Sequence, residues 1–323
     1  MTDKKDQIDS SAPAKDAETK VVEEVKEPTE KYYGKYKISW IYRLIYLELK
    51  KNLVLLEKAS KDKDFKMAAT LTKNLKKLRK MYELPDAVLV LSFYLPDLFM
   101  RLQLPTQPTD VPLGTDIETF LHCTASRQEE IMEHAEPQLF LYDLLLMKLI
   151  DDGDYKNAKE FGDFIFARLK NVNLRTLDHL GAKAMYFIAV ANEKMGLLPQ
   201  VRQLMFESYK TSCLRQDLIG QATITNVILR SYLSQNLYEQ ARQFVIKTNF
   251  PQNVSNNQYS RYLYYLGRIK AVQLEYSESQ ARLIQALRKA PDVGARAFRI
   301  QVQKLQVIVE LLMGEIPNRQ IFS

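Results

Sequence analysis

Apolar side chains recur three and four positions apart along most of this chain, the period of a helix with one buried face. In "SWIYRLIYLELKKNLVLLEKAS" (39–60), Ile41, Leu44, Ile45, Leu49 and Leu56 fall broadly on one stripe, with Ser39 placed as the N-cap. The same period runs through "KNLKKLRKM" (73–81) and "RAFRIQVQKLQVIVELLMG" (296–314), where Gly314 stands at the position of a C-cap. Strict two-residue alternation is nearly absent. The pattern predicts an all-α chain.

A second, longer period is superimposed. An aromatic precedes a small residue by three positions, just after a turn, at Tyr155 with Ala158, Tyr238 with Ala241, and Tyr276 with Ser279. Phe65 with Ala68 is a fourth copy, and Leu198 with Val201 a degenerate fifth. From Tyr155 onward the copies lie about 40 residues apart, which predicts helical hairpins stacked as a tetratricopeptide-like solenoid. The physical reading is that two antiparallel helices must approach closely near their turn. A small side chain opening the second helix permits this, and the aromatic covers the joint. Gly153 and Asn236 suit the turns because they tolerate a left-handed backbone. In the last unit Gly267, Leu283, Ala286 and Pro291 occupy the glycine, large apolar, small and terminal proline offsets of the tetratricopeptide pattern.

Charge divides the chain. Net charge is +7, yet residues 1–30 hold five lysines against nine acids, so the remainder is strongly basic. That first segment is too polar to offset its ordering entropy, and 1–35 is expected to be a disordered tail. A helical block is expected over 36–104, a proline-rich loop over 105–116 in "LPTQPTDVPLGTD", and the solenoid over 117–323. The apolar run "AVLVLSFYL" (87–95) is too short for a membrane span and is flanked by Pro85 and Pro96. Two cysteines, Cys123 and Cys213, give no disulfide framework and suggest a reducing compartment, cytoplasm or nucleus.

The runs "LRQDLIGQATITNVILRSYLSQNLYEQA", "NNQYSRYLYYLGRIKAVQLEYSE", "ALRKAP" and "VELLMGEIPNR" resemble the PCI family, which supplies subunits to the proteasome lid, the signalosome and a translation initiation factor. The proteasome-lid members match best. The resemblance implies a helical repeat arm leading into a winged helix, a structural role without catalysis, and neighbouring lid subunits as partners. In the family the winged helix follows the point where "GEIPNRQIFS" stands here, so this chain is expected to lack it. A PCI scaffold in one of the other two assemblies is the alternative.

Candidate chemistry is sparse. His122, Cys123, Glu130, Glu133 and His134 cluster in sequence but lack the spacings of a structural zinc site. Cys213, in a helical pattern beside Leu214, is expected to be a buried, inert thiol. No phosphate-binding glycine motif occurs, so no cofactor and no small-molecule ligand are expected. Lys73, Lys76, Lys77 and Lys80 share a helix face within the basic Lys50–Lys80 stretch. A solvated face is the plain reading, an acidic protein surface the next and nucleic acid the last; neither nucleic acid nor membrane is expected as a partner. Tyr262, Tyr264 and Tyr265 suit packing between hairpins. Finally, Phe298, Val302, Leu305, Val309 and Leu312 form a stripe on the last helix. Ile300, Val307, Ile308 and Leu311 add apolar area on its other faces, so this end is expected to offer a partner surface.

Overall fold

A computed structural model describes residues 33–81, 133–251, 253–291, 294–317 and 319. The tail before Tyr33, the apolar run 87–95 and the remainder of the N-terminal block, the loop at 105–116, and His122, Cys123 and Glu130 lie outside the described residues. The chain divides into compact units at 1–43 and 44–323. Of the first, only the opening turns of one helix are described; both hydrophobic cores belong to the second.

Eleven α-helices and one short 3-10 turn make up the described secondary structure, with no strand among those residues. In chain order they are α1 (Tyr33–Lys61), α2 (Phe65–Met81), α3 (Ala135–Asp151), α4 (Tyr155–Asn171), α5 (Asp178–Lys194) and α6 (Leu198–Arg215). These are followed by α7 (Leu218–Ser234), α8 (Tyr238–Lys247), α9 (Asn256–Val272), α10 (Tyr276–Lys289) and α11 (Arg296–Leu312). Helix α1 starts inside the stretch expected to be tail. It runs through Ser39, which is therefore not its N-cap.

Consecutive helices pair as α1–α2, α3–α4, α5–α6, α7–α8 and α9–α10, and every pair is joined by the same elbow. The middle residue of a three-residue turn takes positive φ: Lys63 (53°), Gly153 (83°), Gly196 (76°), Asn236 (57°) and Leu274 (64°). The residue after it donates its N–H to a carbonyl five positions back. These bonds are Asp64 to Ala59 (2.9 Å), Asp154 to Leu149, Leu197 to Asn192, Leu237 to Tyr232 and Glu275 to Lys270 (3.0 Å each). Such a bond closes a helix in the left-handed cap geometry. The carbonyl of the same residue then accepts the first four-residue helical hydrogen bond of the next helix, from the N–H of Ala68, Ala158, Val201, Ala241 or Ser279, at 3.0–3.2 Å. One residue ends one helix and begins the next. Gly314 (φ 82°) closes α11 in the same way, with Glu315 N–H on the Glu310 carbonyl at 2.9 Å.

The first helix of a pair and the second differ in burial. Helices α3 and α7 are buried nearly all round, from Glu136 to Leu149 in α3 and from Ala222 to Leu229 in α7, because they pack against both their own partner and the flanking pairs. Helices α2, α8 and α10 keep one apolar stripe: Ala68, Leu71, Leu75 and Leu78 in α2, Leu283 and Ala286 in α10. A large core runs from Leu49, Leu53 and Leu56 of α1 to Tyr262 and Ile269 of α9. A second, smaller one joins Leu263, Leu283, Ala286, Val302 and Val309 of α9, α10 and α11.

Candidate functional site

The elbows set how closely the paired helices approach. Ala68, Ala158, Ala241 and Ser279 are buried, each one turn into its helix. The aromatics that precede them are less uniform. Tyr155, Tyr238 and Tyr276 are half-buried, but Phe65 is 56% exposed and does not seal its joint. Tyr238 donates its hydroxyl to Asn236 Oδ1 at 3.1 Å and lies under the Arg268 guanidinium of the next pair, 6.0 Å from ring centre. The α9–α10 pair is drawn close. Gly267 lies against Leu283, Ser279 Oγ donates to the Gly267 carbonyl at 2.8 Å, and Ser260 Oγ donates to the Ala286 carbonyl at 2.8 Å. The repeat pattern marks Ser279 only as small; its hydroxyl also ties the two helices by a buried hydrogen bond.

The stripe on α11 needs correction. Val302 and Val309 are fully buried, and Phe298 and Leu305 pack beside them against α9 and α10. Of the five, only Leu312 is open, at 57% exposure. The stripe is the inner seam of this end. Besides Leu312, the exposed large apolar side chains of this helix are Ile300, Ile308 and Leu311, on the faces the sequence pattern ranks second. The reason is geometric: the more regular stripe is the one that interlocks with a neighbouring helix.

The tyrosine cluster is spent internally. Tyr262 stacks on Phe250 with ring centres 4.1 Å apart, and Tyr264 meets Phe298 edge to face at 5.7 Å. Burial raises the hydroxyl pKa of both Tyr262 and Tyr265. Cys213 is half-buried rather than enclosed, and Leu214 beside it is 87% exposed. Burial, with Cys213 adding to it, pushes the Tyr209 hydroxyl up to about 12.

Ionisable groups inside the fold are few. Asp143 on α3 is fully buried, and neither carboxylate oxygen has a hydrogen-bond partner. Burial drives its pKa well above the usual value, against the pull of Lys183 on α5. Burial likewise lowers Lys183 to about 8, and its Nζ donates to the Thr72 carbonyl on α2. Buried Glu136 accepts from Ser60 Oγ at 3.0 Å and from Thr176 Oγ1, joining α1, α3 and the 3-10 turn. Lys183 and Glu136 are fastenings, and Asp143 is enclosed beside them with no surface open to solvent.

One open cleft, of about 380 Å³, lies where α4, α5, α6 and α7 meet. Phe166, Leu169, Leu177 and Met185 line it together with Asp178 and Asp217. Asp217 is committed to capping α7, accepting from Ile219 N–H at 3.0 Å and Gly220 N–H at 2.9 Å. Burial and then the Asp217 charge push Asp178 up to about 6. No group of three or more His, Cys, Asp or Glu among the described residues is placed to hold a metal. Glu133 is exposed, and His134 Nδ1 lies 3.5 Å from Ser60 Oγ. No described helix is long and apolar enough to cross a membrane.

The basic stretch is presented outward. Lys73, Lys76, Lys77 and Lys80 are exposed along α2, whereas Arg79 turns inward to a bidentate pair with Asp151 of α3, Nε to Oδ2 at 2.7 Å.

Residues 41–323 match the family model described as PSMD3-like, N-terminal TPR repeats. The probable 26S proteasome non-ATPase regulatory subunit 3 of Drosophila melanogaster is 45% identical over 188 residues, covering 58% of this chain and 38% of the fly protein. The 26S proteasome non-ATPase regulatory subunit 3 of Dictyostelium discoideum is 33% identical over 310 residues, 94% of this chain and 60% of that protein. Homolog A of Arabidopsis thaliana is 41% identical over 189 residues, again 58% of this chain and 38% of the plant protein. The aligned region therefore spans between 38% and 60% of these relatives' own length. With elbow-linked helical hairpins in the described parts of the stretch that the family match covers, the chain belongs to the PSMD3-like family of N-terminal TPR repeats.

Proposed function

We propose that this chain is a non-catalytic structural subunit of the proteasome regulatory particle lid, acting by holding neighbouring PCI-family subunits in place for ATP- and ubiquitin-dependent protein degradation. The observation that carries the reading is the match of residues 41–323 to the PSMD3-like repeats, together with relatives named as non-ATPase regulatory subunits. The chemistry is consistent with it. Glu136 and Lys183 fasten helices to one another, and the described surface is a succession of helix faces and elbows. A scaffold of this kind works by position: rigid pairs fix the separation of whatever docks on them. Its partners are the other lid subunits, its compartments the cytoplasm and nucleus, and it uses no cofactor.

The test is affinity purification of the tagged chain from cells, followed by mass spectrometry. Regulatory-particle subunits in stoichiometric recovery are the expected result. Recovery of signalosome or initiation-factor subunits without proteasome components would overturn the assignment.

A further inference from the structure

Helix α2 contains five lysines and one arginine in seventeen residues and no acid at all. At 3.6 residues per turn, Lys66, Lys73, Lys76, Lys77 and Lys80 fall within an arc of about 100° of its circumference. All five are exposed. None has an ion pair or hydrogen bond through its ammonium group among the described contacts. Arg79, about 60° beyond the edge of that arc, is the one cation of α2 with an acidic partner among the described residues. The stripe is also self-repelling: Lys73–Lys77 and Lys76–Lys80 are four apart, Lys73–Lys76 and Lys77–Lys80 three apart. Each such like-charge pair costs about 0.2–0.5 kcal/mol in an isolated helix.

The positive field reaches the neighbouring helix. Burial lowers Lys183 of α5, and Lys76 lowers it further against Asp143; His179 is lowered by burial and by Lys73 and Lys183 against Asp217. The helix is held from behind, so the stripe faces out. Lys148 Nζ donates to the Arg79 carbonyl at 2.6 Å, Asn74 donates to Asn52 Oδ1 of α1 at 3.0 Å, and Leu71, Leu75 and Leu78 are buried. Two apolar side chains border the cationic arc: Phe65, 56% exposed, and Met81, 51% exposed.

We propose that this outer face of α2 is a docking surface for an acidic helix of a partner protein, with carboxylates on the lysine stripe and an apolar side chain on Phe65 or Met81. The stripe from Lys66 to Lys80 is about 21 Å long, about four turns of a partner helix. Charge complementarity supplies the attraction and orientation, and the two apolar borders supply the area that a polyanion backbone does not cover. That second feature favours protein over RNA. The surface rests on the chemistry of α2 and does not depend on which assembly the chain joins.

Fluorescence anisotropy on the full chain tests it. The probe is a labelled amphipathic peptide of about 20 residues, long enough to form a helix, with glutamates on one face and leucine at each end. A scrambled peptide of the same composition and a single-stranded RNA oligonucleotide serve as comparisons. The expected result is binding of the ordered peptide, weakened at least about tenfold, 1.4 kcal/mol, by combined Lys73→Gln, Lys77→Gln and Lys80→Gln. Combined Lys156→Gln, Lys194→Gln and Lys247→Gln, the same loss of charge at exposed sites elsewhere, leaves it unchanged, and Phe65→Ser with Met81→Ser weakens peptide binding only. Circular dichroism checks that every variant keeps its helices. No peptide binding, equal loss in both lysine variants, indifference to peptide order, or binding of RNA in preference to peptide each overturns the proposal.

Discussion

At Gly267 the absence of a side chain decides how near α9 and α10 come. A Cβ there would stand 2.8 Å from Leu283 Cδ2 and 2.9 Å from Cγ, and Cγ is not the loose end of that side chain. Alanine would recover up to about 1 kcal/mol of helix propensity against this strain, so its net effect is small. Valine gains less propensity and adds two methyl groups in a filled space. Gly267→Val is expected to cost about 2–3 kcal/mol, the upper range for overpacking, read as a lower midpoint in urea denaturation; an unchanged midpoint would mean that the pair splays freely. A second residue sets a pH response. Asp178 titrates near 3.8 when unfolded and at about 6 when folded, so the folded chain keeps a proton that the unfolded chain sheds. Its contribution is full below the lower value and lost as pH rises to the upper one. Asp143, also raised, works in the same direction. Because Asp178 is half-exposed, the effect is on the order of 1 kcal/mol after solvent screening. Asp178→Asn is expected to flatten stability between the two values, and a slope identical to the parent's would count against the shared burial with Asp217.

At the scale of elements, the elbow is the unit, and its quality varies. Gly153 and Gly196 adopt the left-handed backbone without penalty, while Lys63, Asn236 and Leu274 do so with a Cβ. That conformation costs a residue with a side chain roughly 1–2 kcal/mol, partly offset because glycine loses more entropy on folding. Leu274 is 72% exposed, so its side chain contributes little burial in return. Leu274→Gly is therefore expected to raise stability by about 0.5–1 kcal/mol, seen as a higher melting temperature. Gly153→Leu should do the reverse. The spacing of small residues after each turn was legible in sequence because close helix approach demands it at fixed register. The left-handed residues at Lys63 and Leu274 were not, since neither is a turn-former and only the bonds from Asp64 and Glu275 reveal them. The inward face of α11 was equally hidden: a stripe repeating every three to four residues reports that a face is buried, not which neighbour buries it. The fastening of α2, through Lys148 and Lys183, joins residues 69 and 111 positions apart, beyond any local pattern.

For the molecule as a whole, the division between two cores predicts where it opens first. The larger core links α1 to α9 through pairs buried on both sides, while α11 is held by a small cluster resting on Val302 and Val309. In a stack stabilised by nearest neighbours, a unit held by fewer buried contacts opens with a lower free energy than one buried on both sides. Hydrogen exchange should therefore be faster in α11 than in α3 or α7. Val302→Ala removes two buried methyl groups, worth about 1.5–3 kcal/mol with the cavity left behind. That loss should fall on the smaller cluster: amides of α10 and α11 exchange faster, and those of α3, α5 and α7 keep their protection. A truncation inside the larger core, Ile228→Ala, which removes three buried carbons, should instead release amides across several pairs together. If Val302→Ala accelerates exchange uniformly from α1 to α11, the two clusters act as one cooperative unit, and the nearest-neighbour account of this stack fails.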